Sequence, residues 1–534
     1  MSARDIEFST IAGTIAWKYV DEPDSAWRTL AAIPEPSFAG GAGAAPSMLA
    51  PASNWEVIPV FTIGDRVADY RPLGLLDGNG AFSLNSSTAR ILTTNNIDAG
   101  EGRPYSLANN LSLTGSRISY FDIDKSTHRI KSAGVAYDRI VNRAGEPLTV
   151  RNAGGVDSGP LRRFSSGAYV AQGDLSFVDD IFFTGEAVEG GQLYALDVDE
   201  GHLYAVPMAG RAAFENVALI DTGTSTSVGM VISDGRPGAS LKLYIGDKNA
   251  AGTGSFLDRN GLAKGTLYVW KTRNGEDNPD QFGKTGEFRQ GTFEAIEIFD
   301  AAKANSEGYD AQGYVTQETQ DALSFGQDGA GAFRFSFPED LATNPRNARQ
   351  IVFASTGNGA DYRNDDWGTV YIIEVAPNTL SANASIVYSG DDGGNGQFPG
   401  GADFGLRSPD NVDWAESGLI YIQEDRATVN SVFGGASARE ASIWELNPQT
   451  GQLVRIAEIN RGFIPVGTED TQPDDLGNWE TTGVLDMTSL LNSRFTILLL
   501  NVQAHSMIGD LLGGRNISND LVEGGQMLLL RKLE

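Results

Sequence analysis

The sequence predicts an all-β chain, a β-propeller of six or seven blades with long inserted loops between some of them. Three observations carry that expectation. Glycine is abundant, at 64 of 534 residues, as many short strands joined by tight turns require. Helical periodicity is scarce, and the best short candidate spans residues 316–323. One hairpin signature recurs: a glycine, an aromatic strand, an Asp/Asn/Gly-rich turn, then a second strand. Copies open at Arg117-Ile-Ser-Tyr-Phe-Asp-Ile-Asp124, Gly191-Gln-Leu-Tyr-Ala-Leu-Asp197, Gly265-Thr-Leu-Tyr-Val-Trp270, Gly368-Thr-Val-Tyr-Ile-Ile373, Gly418-Leu-Ile-Tyr-Ile422 and Ala441-Ser-Ile-Trp-Glu-Leu446. Their spacing, roughly 50 to 100 residues except between the last two, is too coarse and uneven for a solenoid. Radial repetition closes such units into one body without long exposed edges.

In chain order, residues 1–54 read as an N-terminal arm packed on the body. The arm has a strand-like piece at residues 13–19 and an Ala/Gly/Pro/Ser-rich extended stretch at residues 33–53. From Trp55 to Glu534 the texture is uniform, and the expectation is a single propeller domain.

The formal charge of −29 argues against nucleic acid or an anionic membrane as partner and suits a protein that binds cations or stays soluble in salt. No apolar run approaches the ~18 residues of a membrane span. The chain has no cysteine, which excludes disulfides, thiolate-ligated zinc and iron–sulfur chemistry. The N-terminus lacks the basic-then-apolar pattern of a signal peptide.

Chemistry concentrates in polar loops that follow strands. The densest is 403–425, with Asp403, Asp410, Asp413, Glu416, Glu424 and Asp425 around Arg407 and a Ser-Pro-Asp-Asn turn. Hard oxygen donors on loops at either end of one strand suit Ca²⁺, Mn²⁺ or a phosphoryl group, and equally a solvated acidic hairpin. Similar loops lie at 178–186, ending in Glu186; at 211–216, with Glu215; at 244–261, where Lys248 and Arg259 are cations fit to face a shared anion; at 355–366; and at 501–505, ending in His505. In a propeller the ends of inner strands gather at one mouth of the central channel, so Glu186, Glu424 and His505 are expected to converge there. Mixed carboxylate and imidazole ligation fits Mn²⁺, Fe or Ca²⁺ better than structural zinc. His128 and His202 lie in hairpins of ordinary surface character and receive no role.

Six ordered runs then resemble the PhoX-type alkaline phosphatases, in the bacterial branch near the propeller phosphotriesterases. They are Trp55-Glu-Val-Ile-Pro-Val-Phe-Thr-Ile-Gly64, Phe182-Phe-Thr-Gly-Glu186, Phe256-Leu-Asp-Arg-Asn-Gly-Leu262, Arg407-Ser-Pro-Asp-Asn-Val-Asp-Trp414, Tyr421-Ile-Gln-Glu-Asp425 and Val502-Gln-Ala-His-Ser506. The resemblance implies a propeller with a multinuclear metal centre in its channel (iron or manganese, often with calcium). It also implies hydrolysis of a small phosphoester by an exported protein, periplasmic or secreted. Glu186, Glu424 and His505 are the expected metal ligands, joined by Asp410 and Glu215. Arg407, Lys248 or Arg259 would stabilise the charge developing on the phosphoryl group.

The chain departs from the family pattern at three places. Arg163-Phe-Ser-Ser166 stands where the family commonly has Arg-Phe-Cys-Ser, Thr94-Asn-Asn-Ile97 where it often has an Asn-His-Glu turn, and Thr184-Gly-Glu-Ala187 where it has Thr-Gly-Glu-Glu. Ser165 is a neutral oxygen donor in place of a thiolate, a residual ligand or a phosphate contact. These departures point to a calcium- or manganese-only site. The alternative they open is a degenerate, calcium-stabilised extracellular propeller that serves as a binding or scaffold module.

Overall fold

Crowding at a central axis organises the body of the protein. The computed structural model describes residues 47–67, 69–154, 159–357, 361–427, 432–510, 512 and 520–533, with the backbone of three earlier strands. Residues 1–37 form one compact unit, in which Ile6–Ile11, Thr14–Tyr19 and Arg28–Thr29 make a three-stranded antiparallel sheet. Residues 38–534 form the other. Of the glycine-rich stretch expected to be extended, residues 33–46 lie outside the described residues, as do residues 358–360 of the loop at 355–366.

The larger unit is a β-propeller of six antiparallel blades. Listed from the axis outward, blade 1 is Leu76–Asn85, Thr88–Asn95, Ile118–Asp124 and Ile130–Val135. Blade 2 is Ala168–Val170, Ile181–Gly185, Leu193–Asp197 and His202–Ala205, with Arg139–Val141 added parallel on its outside. Blade 3 is Phe214–Ile220, Ser227–Asp234, Lys242–Asp247 and Gly265–Thr272. Blade 4 is Pro338–Thr343, Gln350–Ser355, Thr369–Ala376 and Ser381–Ser389, and Phe288–Ile296 bridges the outer edges of blades 3 and 4. Blade 5 is Pro409–Trp414, Ile420–Glu424, Ser442–Asn447 and Gln452–Ile459; blade 6 is Glu480–Asp486, Ile497–Ala504 and Gly524–Lys532. The outermost strands of these last two come from the other end of the chain, Leu49–Pro51 on blade 5 and Trp55–Thr62 on blade 6. Inner strands touch in cyclic order from blade 1 through blade 6 and back to blade 1, so the ring is closed.

Each blade is covered on both faces by its neighbours, and the sequence shows it. Ile497–Ala504 is buried at every position, as are Ile181–Gly185 and Leu193–Asp197. The apolar cores lie between blades. Phe164, Phe182 and Tyr194 fill one between blades 1 and 2, while Trp270, Phe335, Phe353 and Tyr371 fill another between blades 3 and 4. Helix is confined to the insertions. The longest is Gln317–Phe325, capped by the Thr316 hydroxyl, at the place the periodicity indicates.

At the axis, polar side chains sew the blades together. Asn79 Nδ2 of blade 1 donates to Gly483 O of blade 6 at 2.6 Å, and Gly483 N donates to Asn411 Oδ1 of blade 5 at 3.1 Å. Val412 N of blade 5 donates to Asp340 Oδ2 of blade 4 at 2.9 Å, and Asn216 Nδ2 of blade 3 donates to Asp340 Oδ1. Blades 1 and 2 meet instead backbone to backbone. A Cβ on Gly78 would come within 1.9 Å of the Ser166 carbonyl carbon, so only glycine fits there. Below this belt runs a cavity of about 590 Å³, walled by small residues such as Gly80, Ala81, Ala168, Ala218 and Ala342.

Asn411→Ala removes the acceptor of a buried N–H and breaks the belt between blades 5 and 6. It is expected to cost about 1–3 kcal/mol, read as a lower urea midpoint; a midpoint unchanged from wild type would show that the belt carries no stability.

Candidate metal and phosphoryl site

A carboxylate opens five of the six inner strands. Asp77, Glu215, Glu339 and Asp410 are the second residues of theirs, and Glu480 is the first of its own. Ser165 and Ser166 fill the corresponding place just ahead of the inner strand of blade 2. Five inner strands also carry an irregularity of register near this end, between Leu76 and Asn79, Phe214 and Val217, Pro338 and Leu341, Pro409 and Val412, and Thr482 and Leu485. An extra residue at each bulge bends the strand and re-aims the side chain beside it. In four of the five that side chain is the acid. Because the second strand of each blade runs back antiparallel, its end reaches the same mouth and brings Asn96, Glu186, Asp425 and His505.

These acids face one another. One oxygen each from Asp410, Asp425 and Glu480 lies within 4.8 Å of the others. Carboxyl-to-carboxyl hydrogen bonds join Glu215 to Glu339, Glu339 to Asp410, and Asp425 to Glu480. Burial, and then the neighbouring acids, push the Asp77, Glu339, Asp410 and Asp425 carboxyls well above the usual range. Glu215 is pushed up to about 7 by burial, against the Ser165 hydroxyl and the Arg163 charge, which pull it down. Gly235 gives Glu215 its space, since a Cβ there would lie 2.4 Å from Oε1.

Several sequence-predicted residues meet at this mouth. Glu215 and Asp410 are in the acid group, and Ser165 touches it, with its Oγ also donating to Phe214 O at 3.2 Å. His505 lies beside it. Its Nε2 is 3.1 Å from Glu480 Oε1 and its Nδ1 is 2.7 Å from Glu523 Oε2. Burial pulls the imidazole down, but the two carboxylates prevail and raise it to about 9. Both ring nitrogens are therefore committed to acids, and His505 anchors Glu480. Glu186 stands at the blade 2 mouth, bridged to Phe164 and 3.7 Å from Arg162 Nε.

Arg407, Glu424, Lys248 and Arg259 do not join the group. Arg407 is fully buried and spends its donors on Glu424 (Nη2 to Oε2, 2.8 Å), Asp403 (Nη1 to Oδ1, 3.1 Å) and the carbonyls of Arg439 and Glu440. Glu424 also accepts from Ser442 N and from Trp444 Nε1, both at 3.0 Å. Side chains alternate along a strand, so Glu424 turns into the blade and its neighbour Asp425 turns to the channel. Lys248 Nζ donates to Ser176 O at 2.6 Å, and Arg259 pairs with Asp179 at 2.6 Å. Asp77, Glu339, Asp425 and Glu480 are the members that the sequence reading did not single out as ligands. The signal of all but Asp425 is a short motif at the start of five inner strands, an apolar residue or proline and then an acid: Leu76-Asp77, Phe214-Glu215, Pro338-Glu339, Pro409-Asp410 and Trp479-Glu480.

Fold and site together define a propeller with a carboxylate-lined channel mouth. The model of the family "Alkaline phosphatase PhoX" matches residues 198–485, more than half of the sequence, and the chain belongs to that family. Among solved structures it is similar to Pseudomonas fluorescens PhoX in complex with vanadate, a transition state analogue. That likeness has a TM-score of 0.61 at 14% identity and covers 93% of this chain and 98% of that one. A second likeness, to the apo-form of the soluble aldose sugar dehydrogenase from Escherichia coli, has a TM-score of 0.30 at 10% identity over 72% of this chain and 90% of that one. No curated protein matches the sequence.

Two predictions follow from the geometry. Arg407→Met strands the Glu424 carboxylate in a dry interior and is expected to cost about 3–5 kcal/mol, measured by chemical denaturation; a cost below 1 kcal/mol would mean that the pair is solvated. The second concerns Glu215 in metal-free protein. The folded chain keeps a proton there up to about pH 7, whereas the unfolded chain gives it up near the ordinary glutamate value of 4.5. Rising pH across that window therefore favours the unfolded state. In EDTA the melting temperature of wild type relative to Glu215→Gln should fall from pH 4.5 to 7 and level off above. A difference that does not change with pH would refute it.

Proposed function

We propose that this protein is a metal-dependent phosphoester hydrolase that works at the mouth of the propeller channel. One observation carries the reading: in a PhoX family member, half-buried Asp410 and Asp425 and buried Glu480 crowd their oxygens within 4.8 Å at the mouth. Like charges that close are stable only when protons or cations stand between them. The donor set fits a hard divalent cation, with carboxylate oxygens in excess and no thiolate in the chain. Asp410, Asp425 and Glu480 would hold it, with Asp77 and Glu339 at hand for further ions. Ca²⁺ and Mn²⁺ suit these donors better than iron, because the position that resembles the family's cysteine is Ser165. When bound, such ions supply Lewis-acid polarisation of the phosphoryl oxygens and neutralise the charge of the site.

The protein's own groups do the rest. Without cations the ring of acids repels a phosphate dianion, so substrate affinity depends on the ions. Glu215, left free of the cations, is ionised under alkaline conditions and takes a proton from the attacking water. A new O–P bond forms and the ester P–O bond breaks; the proton that Glu215 took passes to the leaving oxygen, and phosphate and an alcohol are released. His505, clasped between Glu480 and Glu523, fixes the direction of Glu480. Family membership and the acidic, cysteine-free composition support an exported, periplasmic or secreted location. Among the described residues no helix is long and apolar enough to cross a membrane.

Turnover of p-nitrophenyl phosphate at alkaline pH, before and after EDTA and with Ca²⁺ or Mn²⁺ restored, tests the reading. Wild type should turn over only with metal, and Asp410→Asn and Glu480→Gln should each lose about 10²-fold or more, the scale of one electrostatic contact in a transition state. Ser165→Cys should raise iron content. Tight calcium binding with no turnover of any phosphoester, unaltered by Ser165→Cys, would replace this reading with the calcium-stabilised scaffold.

A further inference from the structure

An acidic mouth that takes a phosphoryl group, as proposed, also needs a fixed cation to orient it. The cations expected to do this are tied elsewhere: Arg407 to Glu424 and Asp403, Lys248 to Ser176 O, and Arg259 to Asp179. Arg426, next to Asp425, is held by Asp475 at 2.6 Å and by Leu476 O. Arg163 is placed differently.

Arg163 lies two residues before Ser165, on the segment that fills the blade 2 position of the ring. Its backbone is clamped from both sides. Its N–H donates to Ile97 O at 2.7 Å, its carbonyl accepts from Ala187 N at 2.8 Å, and the next N–H donates to Ser116 Oγ at 3.2 Å. Between these clamps it adopts φ of 45°, a left-handed conformation that costs a residue with a side chain and persists only where the surroundings impose it. Its Nε is buried and has no acceptor among the described residues. Its charge nevertheless acts on Glu215, one of the channel acids. A left-handed backbone held by clamps and a buried guanidinium donor without an acceptor among the described residues thus meet in one residue.

We propose that Arg163 is the anion-binding residue of the channel, its planar guanidinium taking two oxygens of the substrate's phosphoryl group on the Glu215 side of the mouth. A guanidinium fork matches tetrahedral phosphate oxygens two at a time, which a lysine ammonium does not. The inference rests on the phosphoester reading for the identity of the anion, and its test does not depend on turnover.

Equilibrium dialysis with radiolabelled orthophosphate, at saturating Ca²⁺ or Mn²⁺, measures the contact directly. Arg163→Ala should weaken orthophosphate binding tenfold or more, while metal content and melting temperature stay at or above those of wild type. Arg163→Lys should recover part of the affinity. A residue with only a structural role would lower the melting temperature and leave the affinity within twofold, and that result would overturn the proposal. If Arg163→Ala does not fold, Arg163→Lys and Arg163→Gln decide it, Gln losing the affinity that Lys partly keeps. Wild type that binds orthophosphate through Arg163 but hydrolyses no ester would keep this inference and remove the hydrolase. Turnover with an Arg163→Ala affinity and KM within twofold of wild type would do the reverse, and wild type that binds no orthophosphate would remove both.

Discussion

Negative charge confined without a matching positive partner is the constraint on which this structure turns. Six inner strands converge on one axis, and five of them deliver an acid to the same mouth. A protein interior does not tolerate ionised carboxylates in that density. The ring instead holds protons, as the raised carboxyls and the acid-to-acid hydrogen bonds from Glu215 to Asp410 indicate, or it holds cations. The belt one step deeper is the mechanical counterpart. Asn79, Asn216, Asp340 and Asn411 tie neighbouring blades by neutral or fully accepted hydrogen bonds, so the frame is held at a fixed radius while the mouth repels itself.

Architecture was largely legible in the sequence. The recurring aromatic strand marks blades 1 to 5 at 118–124, 193–197, 265–272, 369–376 and 442–447, since a blade interior wants β-branched and aromatic residues on both faces. Ile420–Glu424 is a second copy within blade 5, and blade 6 has none, because its strands are built from leucine runs such as Leu498–Leu500. The count of six blades therefore came from the closed contacts and not from the repeat. The strand Leu49–Pro51 joins blade 5 although its composition resembles the loop before it.

The site was only half legible, for two physical reasons. Strand alternation makes a one-residue difference decisive, so Glu424 binds Arg407 inside the blade while Asp425 faces the channel. A bulge then breaks the alternation that a reader of sequence would extrapolate, and this is how Asp77 and Glu339 reach the mouth. Composition, by contrast, limits the donors available. A chain with no cysteine has oxygen and imidazole to offer, and the acids gathered at the mouth are oxygen donors.

The outer strands of blades 5 and 6 have a consequence for how the chain is made. Trp55–Thr62 leaves the ribosome more than four hundred residues ahead of its partner Gly524–Lys532, so it stays without that partner while those residues are made. The ring cannot close until that partner is made, and contacts that distant in sequence form slowly. Such a waiting edge invites pairing with another chain. Pro59 sits in the middle of it, and the sheet register shifts beside its partner Leu528. A proline offers no N–H to a stray strand, so the segment that completes the propeller is also guarded against completing the wrong one.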